Sequence, residues 1–183
     1  MGNPTDSITR HRVLAPPFDL RGTDGLRHTL DSVRGEHGTV VMFICNHCPY
    51  VKAVVGKIVR DMTELAQHGV KGVAIMSNDA VAYPGDSFDN MKVFAAQHGF
   101  PFPYVIDETQ DVARAYGAVC TPDFFGFDRD LNLAYRGRLD ASGRSSDPAA
   151  SRELFDAMVA IARTGTAPAV EHPAVGCSIK WKQ

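Results

Sequence analysis

At 183 residues, with 44% hydrophobic and 22% charged side chains, the chain is long enough to bury one sizeable core and is expected to form one domain. A formal net charge of -2 offers neither the basic face that nucleic acid needs nor a cationic segment for an anionic membrane, so both partners are excluded from the reading. No run is apolar and long enough to span a bilayer, and the first 20 residues hold no apolar core of the secretory kind. The expected compartment is the cytoplasm.

Residues 1–16 read as a polar lead-in that closes on Ala15-Pro16-Pro17. Residues 18–26 read as a short hairpin turning at Thr23-Asp24-Gly25, with a short helix expected over 28–34. Residues 40–44 (VVMFI) carry no polar alternation, as expected of a central strand covered on both faces. After Pro49, apolar residues fall at 51, 54, 55, 58, 59, 62, 65 and 66, which is helical spacing, and Gly69 is the expected stop. Pro49 suits the first turn, where a missing N–H costs little.

A second buried strand is expected at 70–76, then a polar loop to Gly85. Asp86 or Ser87 would cap a helix carrying Phe88, Met91, Phe94 and Ala95 and ending at Gly99. Residues 104–106 form the third expected strand, and Thr109 the cap of a short helix closed by Gly117. Residues 124–127 and 133–139 read as an antiparallel pair with one wet face. Asp147-Pro148 is the expected opening of the last helix, which ends at Gly165. The tail, 166–183, holds the sole tryptophan, Trp181, and is expected to pack on the body. Alternating strands and helices imply a parallel sheet centre with helices on both faces, and the final hairpin adds an antiparallel edge.

The chemistry centres on Cys45-Asn46-His47-Cys48, between the first long strand and its helix. Two cysteines two residues apart at a strand-to-helix junction form a redox arrangement, because a helix N-terminus favours thiolate over thiol. Cys45, at the helix mouth, is the expected nucleophile toward a disulfide, and Cys48, one turn away, resolves the mixed disulfide. An imidazole at His47 would stabilise the thiolate, the plainer alternative being an exposed loop histidine. Metal binding by the CxxC pair is the competing use. A second cysteine pair or a histidine pair at ligand spacing is missing, so neither a metal nor a cofactor is expected.

Thr121-Pro122 precedes an expected strand. A cis proline there would present backbone to the sulfurs and let a peptide substrate pair like a strand; an ordinary strand-entry proline is the alternative. Cys120, directly before it, reads as a buried cysteine, or else as an auxiliary redox thiol. Cys177 could reach the site only if the tail folds back, and is read as structural.

With these residues in view, the chain resembles thioredoxin-fold proteins of the thioredoxin-like and peroxiredoxin-like group, the alkyl hydroperoxide reductase/thiol-specific antioxidant (AhpC/TSA) superfamily. The resemblance rests on the hairpin at 18–26, the CNHCP site, an added helix-strand unit at about 87–106 and the Thr121-Pro122 loop. It implies a three-layer α/β/α thioredoxin fold with a mixed central sheet, an N-terminal hairpin and an inserted helix-strand unit, in a single redoxin domain over 1–183. It also implies Cys45 as nucleophile, Cys48 as resolving cysteine and Pro122 as the cis proline.

Peroxiredoxins carry P-x-x-x-T-x-x-C, and the matching positions here are Val41, Cys45 and Cys48. Their pocket arginine aligns with Thr121, with Arg136 or Arg138 as possible substitutes. The buried carboxylate of thioredoxins aligns near Thr39, which leaves the proton acceptor of Cys48 unassigned. The expected function is therefore thiol–disulfide oxidoreduction through Cys45 and Cys48. Its substrates would be protein or small-molecule disulfides, with thioredoxin or glutathione as the thiol reductant. The alternatives are a peroxiredoxin-like peroxidase acting on hydroperoxides, and a metal-binding or redox-sensing module without turnover.

Overall fold

The computed structural model describes residues 12–167 and 169–183. The first eleven residues of the expected lead-in, and Pro168 in the tail, lie outside them. In chain order the strands are β1 (Asp19–Gly22), β2 (Arg27–Thr29), β3 (Gly38–Phe43), β4 (Val70–Met76) and β5 (Tyr104–Ile106). They continue with β6 (Cys120–Thr121), β7 (Asp123–Phe127), β8 (Leu133–Gly137) and β9 (Cys177–Ser178). The helices are α1 (Leu30–Val33), α2 (Pro49–Leu65), α3 (Phe88–His98), α4 (Asp111–Tyr116) and α5 (Glu153–Thr164).

Seven strands form one sheet in the order β2-β1-β5-β4-β3-β7-β8. β3, β4 and β5 run parallel, while β1 joins β5, and β7 joins β3, antiparallel. Helices cover both faces, and the result is a thioredoxin fold with a mixed sheet. The added unit α3–β5 lies between β4 and α4 in sequence, and its strand extends the parallel run.

The sheet alternation of β3 distributes the core. Val40, Met42 and Ile44 face the side covered by α2, α3 and α5, where they meet Val51, Ile58, Met91, Phe94 and Met158. Val41 and Phe43 face the other side, where they meet Leu30, Val33, Ala113 and Tyr116 of α1 and α4. Every residue of β3 is buried, which explains its unbroken apolar run. Each large apolar side chain so buried contributes about 1.5–3 kcal/mol.

Helix α2 begins at Pro49, with Cys48 as its N-cap, and runs through a short 3-10 turn to Gly69. Gly69 has φ 73°, and a Cβ there would stand 2.5 Å from the His37 ring. The ring is partly exposed and can swing aside, so the left-handed backbone is the main cost of a substitution. Gly69→Ala is expected to destabilise by about 1 kcal/mol, which lowers Tm by about 2–4 °C. A thermal melt checks this, and an unchanged Tm would mean that this backbone conformation is not required.

Several expected boundaries move, each for a local reason. His28 belongs to β2, opposite Leu20, and the helix starts only at Leu30, where Thr29 and Ser32 cap it reciprocally. Ser87, not Asp86, caps α3 by accepting from Asn90 N, while Asp86 turns inward. Gln110, not Thr109, is the N-cap of α4, and the Asp107 carboxylate accepts from Val112 N and Ala113 N.

β8 stops at Gly137 because the next amide, Arg138 N, donates to the His172 carbonyl of the tail. Asp147-Pro148 does not open α5. The Asp147 carbonyl accepts from Lys57 Nζ and its carboxylate closes a local turn, so the helix waits until Glu153. The tail does pack on the body: Ile179 is buried, and Arg114 stacks 4.6 Å from the Trp181 ring centroid. Among the described residues no helix is long and apolar enough to cross a membrane.

Candidate redox site

The turn Cys45-Asn46-His47-Cys48 carries the chain from the C-terminal end of β3 into α2. Both cysteines are free and almost fully buried, at 1% and 0% exposure. The helix cap is Cys48, so the N-terminal dipole of α2 acts first on that sulfur, and Cys45 stands three residues further out. Cys45 is thus not open to solvent at the helix mouth.

Thr121 closes the other side of the pair. Its hydroxyl lies 3.5 Å from Cys45 Sγ, and Cys48 Sγ donates to its carbonyl oxygen at 3.2 Å. The Thr121-Pro122 peptide is cis. The expected site residues Cys45, Cys48, Thr121 and Pro122 therefore meet in one place, with Pro49 as the first residue of α2. Cys120 is adjacent, buried, and donates weakly to the Pro122 carbonyl at 3.7 Å. Burial, reinforced by the Asp123 carboxylate, pushes its thiol up to about 12, so Cys120 stays protonated at neutral pH.

Asp86, Asn46, Asn78 and Tyr104, none of which the sequence tied to the chemistry, complete the site. Asp86, fully buried, comes from the 3-10 turn ahead of α3. It accepts from Asn46 N at 2.8 Å and from Asn78 Nδ2 at 2.9 Å. The Asn46 side chain donates to the Gly85 carbonyl and accepts from the buried Tyr104 hydroxyl at 2.8 Å. His47 Nδ1 lies 2.6 Å from Asp86 Oδ2 in an ion-pair contact that is off the line of a hydrogen bond, and its ring lies parallel to Tyr83. The α3–β5 unit and the loop before it thus wall the CxxC turn with polar groups. The sequence carried a signal for one of them: Asn78 follows the C-terminal end of β4, the strand that runs parallel to β3 and ends beside the CxxC turn.

The two sulfurs share a proton. Cys48 is lowered to about 4, first by its hydrogen bond with Cys45. Cys45 is raised, first by the same hydrogen bond, then by burial and by the negative charge of Asp86. Ionisation of one sulfur therefore opposes ionisation of the other. Thr121 and Asp86 pull the negative charge in opposite directions. The Thr121 carbonyl accepts a hydrogen bond from the Cys48 thiol and its hydroxyl can donate to a Cys45 thiolate, while Asp86 disfavours charge on Cys45.

Cys45, His47 and Asp86 bring a thiol, an imidazole and a carboxylate within 4.8 Å of one another, the set best able to hold a metal among the described residues. Two further histidines lie elsewhere: His98 packs on Phe94 in α3, and the His172 backbone carbonyl accepts from Arg138 N. The two arginines considered as peroxide-pocket substitutes have other partners. Arg138 forms a two-pronged pair with Glu153, and Arg136 donates to the Gly117 carbonyl beside Asp123.

This architecture and site define a thioredoxin-fold protein with a CxxC turn. The AhpC/TSA family model matches residues 12–136, and the chain belongs to that family, whose general chemistry is thiol oxidoreduction, including thiol peroxidase activity. An uncharacterized conserved protein from Geobacillus kaustophilus is 48% identical, with a TM-score of 0.89 over 93% of this chain and 92% of that one. A hypothetical protein from Sinorhizobium meliloti 1021 is 33% identical, also with a TM-score of 0.89, over 93% and 94%. A thiol:disulfide interchange protein of the thioredoxin family from Chlorobium tepidum shares the fold at 21% identity, with a TM-score of 0.63 over 82% and 96%. No curated protein matches the chain significantly.

Proposed function

We propose that the chain, as a single redoxin domain over residues 1–183, catalyses thiol–disulfide exchange through a Cys45/Cys48 dithiol–disulfide couple. The observation that carries this reading is the pair of free, proton-sharing sulfurs held against Thr121. The shared proton moves from Cys45 to Cys48, whose thiol hydrogen-bonds to the Thr121 carbonyl, and Cys45 attacks as the thiolate so formed. A sulfur of the substrate disulfide bonds to Cys45 Sγ, and the other leaves as a thiolate that takes a proton from solvent. Cys48 then loses its proton and attacks Cys45 Sγ. This releases the second substrate thiol and leaves the Cys45–Cys48 disulfide.

His47, next to both Asp86 and Cys45, offsets the carboxylate's charge when protonated and so favours thiolate at Cys45. Thr121 and Pro122 shape the substrate approach, beside an apolar hollow lined by Tyr50, Val54, Pro122, Leu139 and Val175. Substrates are protein or small-molecule disulfides. A thiol reductant such as thioredoxin or glutathione restores the dithiol, in the cytoplasm, where both keep cysteines reduced.

A peroxidase is the second reading, favoured by the Thr121 hydroxyl beside Cys45 and opposed by the other engagements of Arg136 and Arg138. Stopped-flow oxidation of the reduced protein by hydrogen peroxide, followed by Trp181 fluorescence, separates the two when run beside dithiothreitol-driven insulin reduction. We expect insulin turnover, and peroxide oxidation no faster than that of an ordinary thiolate. Peroxide oxidation orders of magnitude faster, without insulin turnover, would overturn the exchange reading.

A further inference from the structure

Cys45 and Cys48 are almost wholly buried, so a disulfide formed there offers a reductant little surface beyond the face where substrate meets Cys45. Cys45, Cys48 and Cys120 are buried at 1%, 0% and 7% exposure, whereas Cys177 is half-buried. The tail brings Cys177 to the site. β9 pairs antiparallel with β6, placing Cys177 opposite Thr121, the residue whose carbonyl accepts from Cys48. Cys177 packs against the cluster that contains Cys45 and Cys48. Cys177 and Cys48 act on each other, and Cys177 is one of the causes that lower Cys48.

The seating of the tail is specific. A Cβ on Gly176 would fall 2.0 Å from the Thr121 carbonyl oxygen, so only glycine allows β9 to approach this closely. Past β9, Ile179 N donates to the Val119 carbonyl, Lys180 N to Asn78 Oδ1 and Lys182 N to Gln110 Oε1. Three successive anchors make this docked segment part of the site wall. β9 also fills the β6 edge on which an extended peptide would otherwise pair.

We propose that Cys177 is a third redox cysteine of this site, which takes the disulfide from the buried couple and presents it at the surface. The proposal rests on the exchange reading above and extends it. Cys177 loses its proton to solvent and attacks Cys48 Sγ of the Cys45–Cys48 disulfide. The Cys48–Cys177 bond forms, the Cys45–Cys48 bond breaks, and Cys45 leaves with the electron pair as a thiolate. No net oxidation occurs, so no further reactant is needed. A thiol reductant then attacks the sulfur of the partly exposed Cys177, forms a mixed disulfide with it, and frees Cys48 as the leaving thiolate.

The test uses Cys45→Ser, with Cys45→Ala as a second variant should serine disturb the buried site, each checked for folding by Trp181 fluorescence. One equivalent of diamide takes two electrons and two protons from a dithiol. Non-reducing peptide mapping by mass spectrometry should then show Cys48 joined to Cys177 in most monomers, and no such bond in Cys45→Ser/Cys177→Ser. Cys48 and Cys177 both remaining open to alkylation after diamide would overturn the proposal. In the full-length protein, Cys177→Ser should slow reduction of the oxidised form by thioredoxin about tenfold, the equivalent of about 1.4 kcal/mol; an unchanged rate would also overturn it. Insulin turnover by the unaltered protein reports separately on the exchange reading. Its loss would remove that reading while the diamide bond is scored on its own.

Discussion

In a Cys177→Ser background, Cys48→Ser is expected to attack a disulfide once and stop. Insulin turnover should fall by at least about a thousandfold, in keeping with the loss of one member of a catalytic pair. A mixed disulfide on Cys45 should accumulate and be visible by mass spectrometry without reductant. The reason lies in the division of labour at Thr121. Its carbonyl accepts a hydrogen bond from the Cys48 thiol and its hydroxyl can donate one to a Cys45 thiolate, which suits Cys45 as the attacking thiolate and Cys48 as the resolving thiol. With serine at 48 the second displacement has no nucleophile, since a hydroxyl does not ionise at neutral pH. Cys45→Ser in the same background should form no stable adduct. Accumulation of the mixed disulfide on Cys48 in that variant would reverse the two roles.

The fold was readable because its signals are periodic. The α2 positions 51, 54, 55, 58, 62 and 65 are all buried, and the unbroken apolar run of β3 is a strand covered on both faces. Boundaries failed where a distant group outcompeted a local one. Asp147-Pro148 has the composition of a helix start, but Lys57 of α2 claims the Asp147 carbonyl, and no residue near 147 announces a lysine 90 positions away. The CxxC pair was legible from its spacing and from the strand-to-helix junction.

The rest of the site was less legible, for two physical reasons. Asp86 and Ser87 are equally good caps by residue type, and only the packing of the preceding turn against Asn46 decides which one points inward. Cys177 lies 129 residues beyond Cys48 (177 minus 48) in a tail with little regular structure. Its position depends on Gly176 passing close to Thr121, a contact that no periodicity encodes. The missing carboxylate near Thr39 has the same lesson. Thr39 is buried and accepts from Gly35 N, so it serves the turn before β3, and the buried acid comes instead from the α3 side, next to Cys45.

Asp86 is therefore the position at which substitution should tell most about the site. Asp86→Ala removes the acceptor for Asn46 N and Asn78 Nδ2 and leaves both donors buried without partners. At about 1–3 kcal/mol per orphaned group, the variant should lose about 3 kcal/mol or more in a urea titration. Asp86→Asn keeps the shape and the acceptor for Asn46 but removes the charge. That charge is one of the causes that raise Cys45, so its loss favours the Cys45 thiolate. The pH profile of Cys45 alkylation by iodoacetamide should then move to lower pH, with faster alkylation at any fixed pH below its plateau. A profile that stays in place would mean that Cys45 does not feel the carboxylate, and a shift to higher pH would reverse the sign of the electrostatic argument. A lower profile would show that the buried acid restrains the nucleophile at rest, and that the charge of Asp86 sets how readily Cys45 reacts.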